Sequence, residues 1–194
     1  MAGDLEKHVI IHTDGACVGN PGPGGWAYIL QWGKHRKTQS GGFRLTTNNR
    51  MEMTAAVQAL RALKQSCKVE IRSDAFILCS PMNNGHAVLW RKWGWRRKPN
   101  SPKFVPNWDL WEQLLLACEK HTVTFVQTKG HAGIAENEEC DVFAVKAAES
   151  NPTEIDPGYE DKSIVPANST LPGLSLSTPV PQELGIAHSK TPPN

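Results

Sequence analysis

The sequence predicts an α/β protein: a five-stranded mixed sheet, its first three strands antiparallel, flanked by helices. Three observations lead there. Three β-rich segments open the chain with only short turns between them. A long stretch of helical periodicity follows. Two further short β-rich runs then alternate with helix-patterned segments, the alternation that marks this class.

Taken in order, residues 7–13 (KHVIIHT) are β-rich and end at Asp14-Gly15. Residues 25–32 and 36–45 predict two more strands around a polar turn at Gly33-Lys34. Thr47 to Lys64 predicts a helix, because Met51, Ala55, Ala59 and Leu63 fall along one face. Lys68 to Ser73 is a short strand, and 75–83 and 86–93 are short helices. Trp111, Leu114, Leu115 and Cys118 have the i, i+3, i+4, i+7 spacing of a helix over about 108–120. Residues 122–128 form the fifth strand, and Cys140, Phe143, Ala144 and Ala147 stripe a last helix.

The length of 194 residues suits one domain with an appendage. The composition changes near Ser150: eight of the fourteen prolines lie at or beyond Pro152, among Ser, Thr and Gly. Residues 1–150 are therefore expected to be the folded domain, and 151–194 a Pro/Ser-rich disordered tail. No apolar run is long enough to cross a membrane, and Met1 to Lys7 has no apolar signal core. A cytoplasmic, monomeric protein with no membrane partner is the expectation. The five cysteines include no C-x-x-C pair, which argues against a disulfide framework or a zinc site.

The net charge of +2 conceals a split. The tail carries −3 and residues 1–150 carry +5. Residues 86–104 alone hold six basic side chains and no acidic one. Such a local patch predicts a docked polyanion.

Four carboxylates stand at element ends or helix starts: Asp14, Glu52, Asp74 and Asp141. One Asp at a strand end ordinarily makes a turn or a cap. Four converging at one sheet edge would repel one another unless a cation neutralised them. Oxygen-only donors select a hard ion, Mg²⁺ or Mn²⁺, over zinc. Two such ions, roughly 3.5–4 Å apart, suit phosphodiester hydrolysis.

The surrounding residues resemble ribonuclease H type 1 (RNase HI) over about residues 7–148. The similar stretches are Thr13-Asp14-Gly15-Ala16-Cys17 with Gly19-Asn20-Pro21-Gly22-Pro23-Gly24-Gly25, then Thr46-Thr47-Asn48-Asn49-Arg50-Met51-Glu52, then Ser73-Asp74. Lys129-Gly130-His131-Ala132-Gly133 and Asn137-Glu138-Glu139-Cys140-Asp141 complete them. The resemblance implies a ribonuclease H-like fold and two-metal-ion hydrolysis of the RNA strand of RNA–DNA hybrids, leaving 5′-phosphate and 3′-hydroxyl ends. It implies that Asp14, Glu52, Asp74 and Asp141 hold two Mg²⁺ ions, with Mn²⁺ able to substitute. It gives His131, on a loop after the last strand, a part in proton transfer or product release.

The resemblance also sets Asn20, Asn48, Asn49 and the backbone around Cys17 against the hybrid. Amides donate and accept, which suits 2′-OH groups and base edges in the minor groove. N-capping is the competing task for Asn48 and Asn49. Thr47 and Asn107 resemble positions that hold a DNA phosphate, with Arg44 a possible helper. Trp90, Arg91, Lys92, Trp93, Trp95, Arg96, Arg97 and Lys98 resemble the basic handle (about 86–104) of the type 1 enzymes, with one or two indoles expected in the core. A non-catalytic hybrid binder would share the handle and the asparagines but would gain nothing from four acids. A DNA-directed nuclease of the same fold would have no use for the asparagine set. Two departures concern the site. Ala75-Phe76-Ile77 stands where the family often has Ser, a variable residue and Tyr. Glu139 stands where a basic residue is common, and is expected to add repulsion near Asp141.

Overall fold

The computed structural model describes residues 8–130 and 132–167. In chain order the elements are β1 (His8–Cys17), β2 (Gly22–Trp32), β3 (His35–Thr46), α1 (Asn48–Arg61), β4 (Lys68–Ser73), α2 (Phe76–Asn83), α3 (His86–Lys92), α4 (Trp108–Cys118), β5 (Thr122–Gln127), α5 (Ala135–Glu149) and α6 (Pro157–Glu160). The strands form one sheet in the order β3-β2-β1-β4-β5. β1 pairs antiparallel with β2, and β2 with β3, while β4 runs parallel to both β1 and β5. This is the mixed sheet the sequence predicts.

Sheet register explains how distant residues meet. In the parallel β1–β4 pair, His12 lies opposite Arg72. Two residues further on, each chain reaches an acid, Asp14 or Asp74, at the same edge of the sheet. β1 is longer than expected. It continues through Asp14 to Cys17, because Ala16 and Cys17 pair with the small residues Gly25 and Gly24 at the start of β2. β2 correspondingly begins at Gly22 rather than at residue 25.

Helices cover both faces. Adjacent strand residues point to opposite sides, and a side chain on Gly24 would strike Met51 of α1, whereas one on Gly25 would strike the backbone of α5. The α1 side holds the larger core: Ile11, Val69, Ile71, Met51, Met53, Val57 and Leu60 with Leu110, Trp111, Leu114 and Leu115 of α4. Each such side chain contributes roughly 1.5–3 kcal/mol by leaving water. On the other face α5 buries Asn137, Cys140, Ala144 and Ala148 against β1, β2 and β3.

The described structure reaches past the expected boundary at residue 151. Residues 151–167 are described, and part of them packs on the domain. The Glu154 carbonyl accepts the Arg44 N–H at 2.8 Å, and Asp156, 2% exposed, accepts from Thr46 and Arg50. Pro/Ser composition hid this strap because ion pairs and hydrogen bonds, rather than an apolar stripe, anchor it. Residues 168–194, where the rest of the tail expectation falls, lie outside the described residues.

Candidate active site

Asp14 points from the central strand, Glu52 from the second turn of α1, and Asp74 from the residue after β4. Each offers one carboxylate oxygen, and these oxygens lie within 4.8 Å of one another. Asp14 and Glu52 are each 7% exposed. Gly15 makes the meeting possible. A methyl group there would stand 2.2 Å from the Glu52 backbone nitrogen, so only glycine lets α1 lie this close to β1. The Gly15 N–H also donates to Asp14 Oδ1 at 2.7 Å.

Among the described residues no cation neutralises this trio. Burial, and then the charge of Asp74, pushes the Asp14 carboxyl up to about 7, against the pull of the Gly15 N–H. Burial together with Asp14 and Asp74 holds Glu52 well above the usual carboxylate range. Glu52 Oε2 is buried and has no hydrogen-bond partner among the described residues, an exception that calls for an explanation. Asp141, half-buried in α5, lies outside the tight trio but adds its charge to both Asp14 and Glu52. An all-oxygen, anionic, partly unsatisfied pocket is what a hard divalent cation requires. Three of the four predicted acids therefore meet, and the fourth stands beside them.

His131 lies outside the described residues, between Gly130 and Ala132. Glu139 has a cation of its own. It pairs with Arg36 of β3, as Glu136 accepts from Gln31 of β2. Both contacts fasten the start of α5 to the sheet. Phe76 is 63% exposed, two residues after Asp74.

The amide edge assembles beside the acids. Asn20 Oδ1 accepts the Asn48 N–H at 3.3 Å. Thr47 is the N-cap of α1 by conformation, without a side-chain cap bond, so neither Asn48 nor Asn49 caps the helix. Cys17, at the end of β1, donates its thiol toward the carbonyls of Gly22 and Thr46. Asn107 is the N-cap of α4, with φ 59°. Arg50 of α1 forms a two-pronged pair with Asp109 of α4, which draws the first turns of the two helices together and makes Thr47 and Asn107 neighbouring helix starts.

The handle divides into paired and open cations. Trp95 is 4% exposed, and its indole N–H donates to Glu112, so it is a core residue rather than a substrate contact. Trp90 packs edge-on to Trp111 at 5.6 Å and stacks on His86. Arg91 is held by Glu112 and Glu119 at 2.7 and 2.8 Å. Arg96 lies over the Phe104 ring at 4.5 Å. Lys92, Arg97 and Lys98 are exposed, and Trp93 is half-buried. Arg44, on β3, is bound by Glu160 of the strap.

The sequence reading passed over Arg50, Asp109 and Asp156. Arg50 and Asp156 are nearly fully buried and bridged at 2.7 Å. The available signal was a charged residue directly before the core position Met51, in a helix otherwise buried over that turn.

The RNase H family profile matches residues 6–149 of this chain. The chain is 51% identical over 158 residues to Ribonuclease H of Syntrophus aciditrophicus (strain SB), a match covering 81% of this chain and 90% of the relative. It is 47% identical over 158 residues to Ribonuclease HI of Shewanella oneidensis, covering 81% and 98%. Among solved structures, LC9-RNase H1, a type 1 RNase H with the type 2 active-site motif, aligns with a TM-score of 0.66 at 28% identity over 75% of this chain and 74% of that one. LC11-RNase H1 in complex with RNA/DNA hybrid aligns at 0.55 with 21% identity, over 73% and 96%, a likeness of fold.

Proposed function

The chain belongs to the ribonuclease H family, and from that premise we propose that it is an endonuclease that hydrolyses the RNA strand of RNA–DNA hybrids, leaving 5′-phosphate and 3′-hydroxyl ends. One observation carries the reading: three carboxylates, two of them buried and the third half-buried, crowd within 4.8 Å with no cation among the described residues to neutralise them.

These residues fit a divalent cation. Asp14, Glu52 and Asp74 would hold it, with Asp141 completing a site for two Mg²⁺ ions, or Mn²⁺ in their place. Bound there, such ions supply activation of a water nucleophile and stabilisation of charge on the leaving oxygen. The orphaned Glu52 Oε2 supports this fit, since a buried carboxylate oxygen without a donor is otherwise a cost without return.

The chain's own groups do the rest. Four acids repel a phosphodiester at close range, so the backbone approaches only when the pocket is neutralised. Asn20, Asn48, Asn49 and the backbone at Cys17 face the RNA strand, whose 2′-OH groups both donate and accept. Thr47 and Asn107 hold a DNA phosphate. Lys92, Arg97 and Lys98 meet further phosphates, with Trp93 at the handle surface. His131 moves a proton or assists product release. The enzyme works as a cytoplasmic monomer; among the described residues, no helix is long and apolar enough to cross a membrane.

The test is cleavage of a labelled RNA–DNA hybrid by the purified chain with Mg²⁺, with Mn²⁺ and with EDTA, beside an all-DNA duplex. Hybrid cutting that stops in EDTA is expected. Equal cutting of the DNA duplex, or cutting that persists in EDTA, would overturn the proposal.

A further inference from the structure

The metal pocket depends on a residue that carries no side chain. We propose that Gly130 is a positioning residue for Asp74: the bare α-carbon at position 130 leaves the space in which the Asp74 carboxylate turns toward Asp14 and Glu52. A methyl group on Gly130 would stand 2.5 Å from Asp74 Oδ2, 3.5 Å from its Cγ and 3.7 Å from its Cβ. Its three nearest neighbours are all atoms of that one side chain, with no backbone among them.

Register brings the two residues together. β4 and β5 pair as far as Ser73 and Gln127. The Thr128 N–H then donates to the Ser73 carbonyl at 2.9 Å, so the chain leaving β5 stays beside the chain leaving β4. Gly130 consequently packs on Asp74.

Backbone conformation does not explain the glycine. Five other glycines have positive φ, Gly133 of the same loop among them at 77°, but Gly130 does not. Alanine could adopt its conformation. Nor does the core require it. The contrast is Gly15, where a methyl would strike the backbone of α1. At Gly130 the obstacle is the far end of an Asp side chain, which rotates at little cost. A methyl at 130 therefore spares the fold and moves a ligand.

The inference rests on Asp74 being a metal ligand, and the experiment separates the two claims. Mn²⁺ is titrated into the metal-free full-length chain, without substrate, for the parent and for Gly130→Ala, Gly133→Ala and Asp74→Ala. Supporting groups behind metal ligands carry about 10–100-fold in affinity. Gly130→Ala is expected to lose about tenfold, with its metal-free thermal midpoint within about 2 °C of the parent. Gly133→Ala strains the same loop through its positive φ but meets nothing within 4 Å, and it is expected to keep the parent affinity, so that loop strain is told apart from contact with Asp74. A crystal structure of Gly130→Ala should show the Asp74 carboxylate turned away from Asp14. Unchanged affinity in Asp74→Ala would overturn the ligand reading and this inference with it. Loss in Asp74→Ala but not in Gly130→Ala would overturn this inference alone. So would equal losses in Gly130→Ala and Gly133→Ala, or a carboxylate found in its original place.

Discussion

Helix α1 carries two buried charges two residues apart, and the chain treats them in opposite ways. Arg50 is enclosed by Asp109 and Asp156, with N–O distances of 2.7–2.8 Å on both sides. Glu52, equally enclosed, faces Asp14 and Asp74 and leaves one oxygen unpartnered. The first cluster is complete within the chain. The second is complete only with something the described residues do not supply. Buried ions are costly unless paired, so the unpaired cluster marks the place where a ligand brings the opposite charge. This contrast, rather than acidity as such, identifies the site.

The largest expected effect comes from relieving the open cluster. Asp14→Asn should lower hybrid cleavage by about three orders of magnitude or more, because a metal-assisted reaction loses a ligand. The same change should stabilise the metal-free protein. Folding raises the Asp14 carboxyl from 3.8 to about 7, so the folded state holds this proton to higher pH than the unfolded chain does. Stability is then lost as pH rises through that window, and the full penalty applies above pH 7. Asparagine never incurs it. Urea unfolding in EDTA at pH 8 should show a gain on the order of 2–4 kcal/mol, shrinking toward zero near pH 4. A variant less stable than the parent at pH 8 would contradict the picture of an uncompensated cluster.

The closed cluster should respond in the opposite sense. Arg50→Met leaves Asp109 and Asp156 without their cation and should cost about 3–5 kcal/mol. Asp156→Ala should cost less, about 1–3 kcal/mol, since Arg50 keeps its two-pronged contact with Asp109 and loses the strap. Denaturant midpoints at pH 7 decide the matter. If Arg50→Met proved as mild as a surface substitution, the two clusters would not differ as described.

The open cluster was legible in the sequence and the closed one was not, for a physical reason. Asp14, Asp74 and Glu52 sit at a strand's functional end, at a strand terminus and at a helix start, positions that an α/β sheet gathers at one edge. Their neighbours Gly15, Asn20 and Asn48 are residue types chosen for close approach and hydrogen bonding, and they announce themselves. Arg50 looks like any helix-surface cation, and Asp156 like a polar residue in a Pro-rich tail. Only the packed fold shows that each is buried by the other. Which indole of the handle enters the core, and which of its cations is already paired, was hidden in the same way. Composition shows a basic aromatic run, but not that Glu112 and Glu119, from α4 and its C-terminal end, claim two of its members.

The same distinction between satisfied and open charge applies to the handle, where the expected effects are smallest. Lys92, Arg97 and Lys98 are exposed, whereas Arg91 already has two carboxylate partners. Each cation that meets a phosphate adds about 0.7–0.9 to the slope of log affinity against log salt. Replacing Lys92, Arg97 and Lys98 with Ala should therefore flatten that slope by up to about 2.1–2.7 and weaken hybrid binding at low salt, with turnover at saturation changing less. Arg91→Ala should leave the slope nearly intact, because its charge is spent inside the chain, and should instead loosen the packing of α3 on α4. Binding isotherms at several salt concentrations separate the two variants. A slope that falls as much for Arg91→Ala as for one of the exposed cations would mean that substrate competes successfully for a paired arginine, and the division drawn here between satisfied and open charges would not extend to the surface.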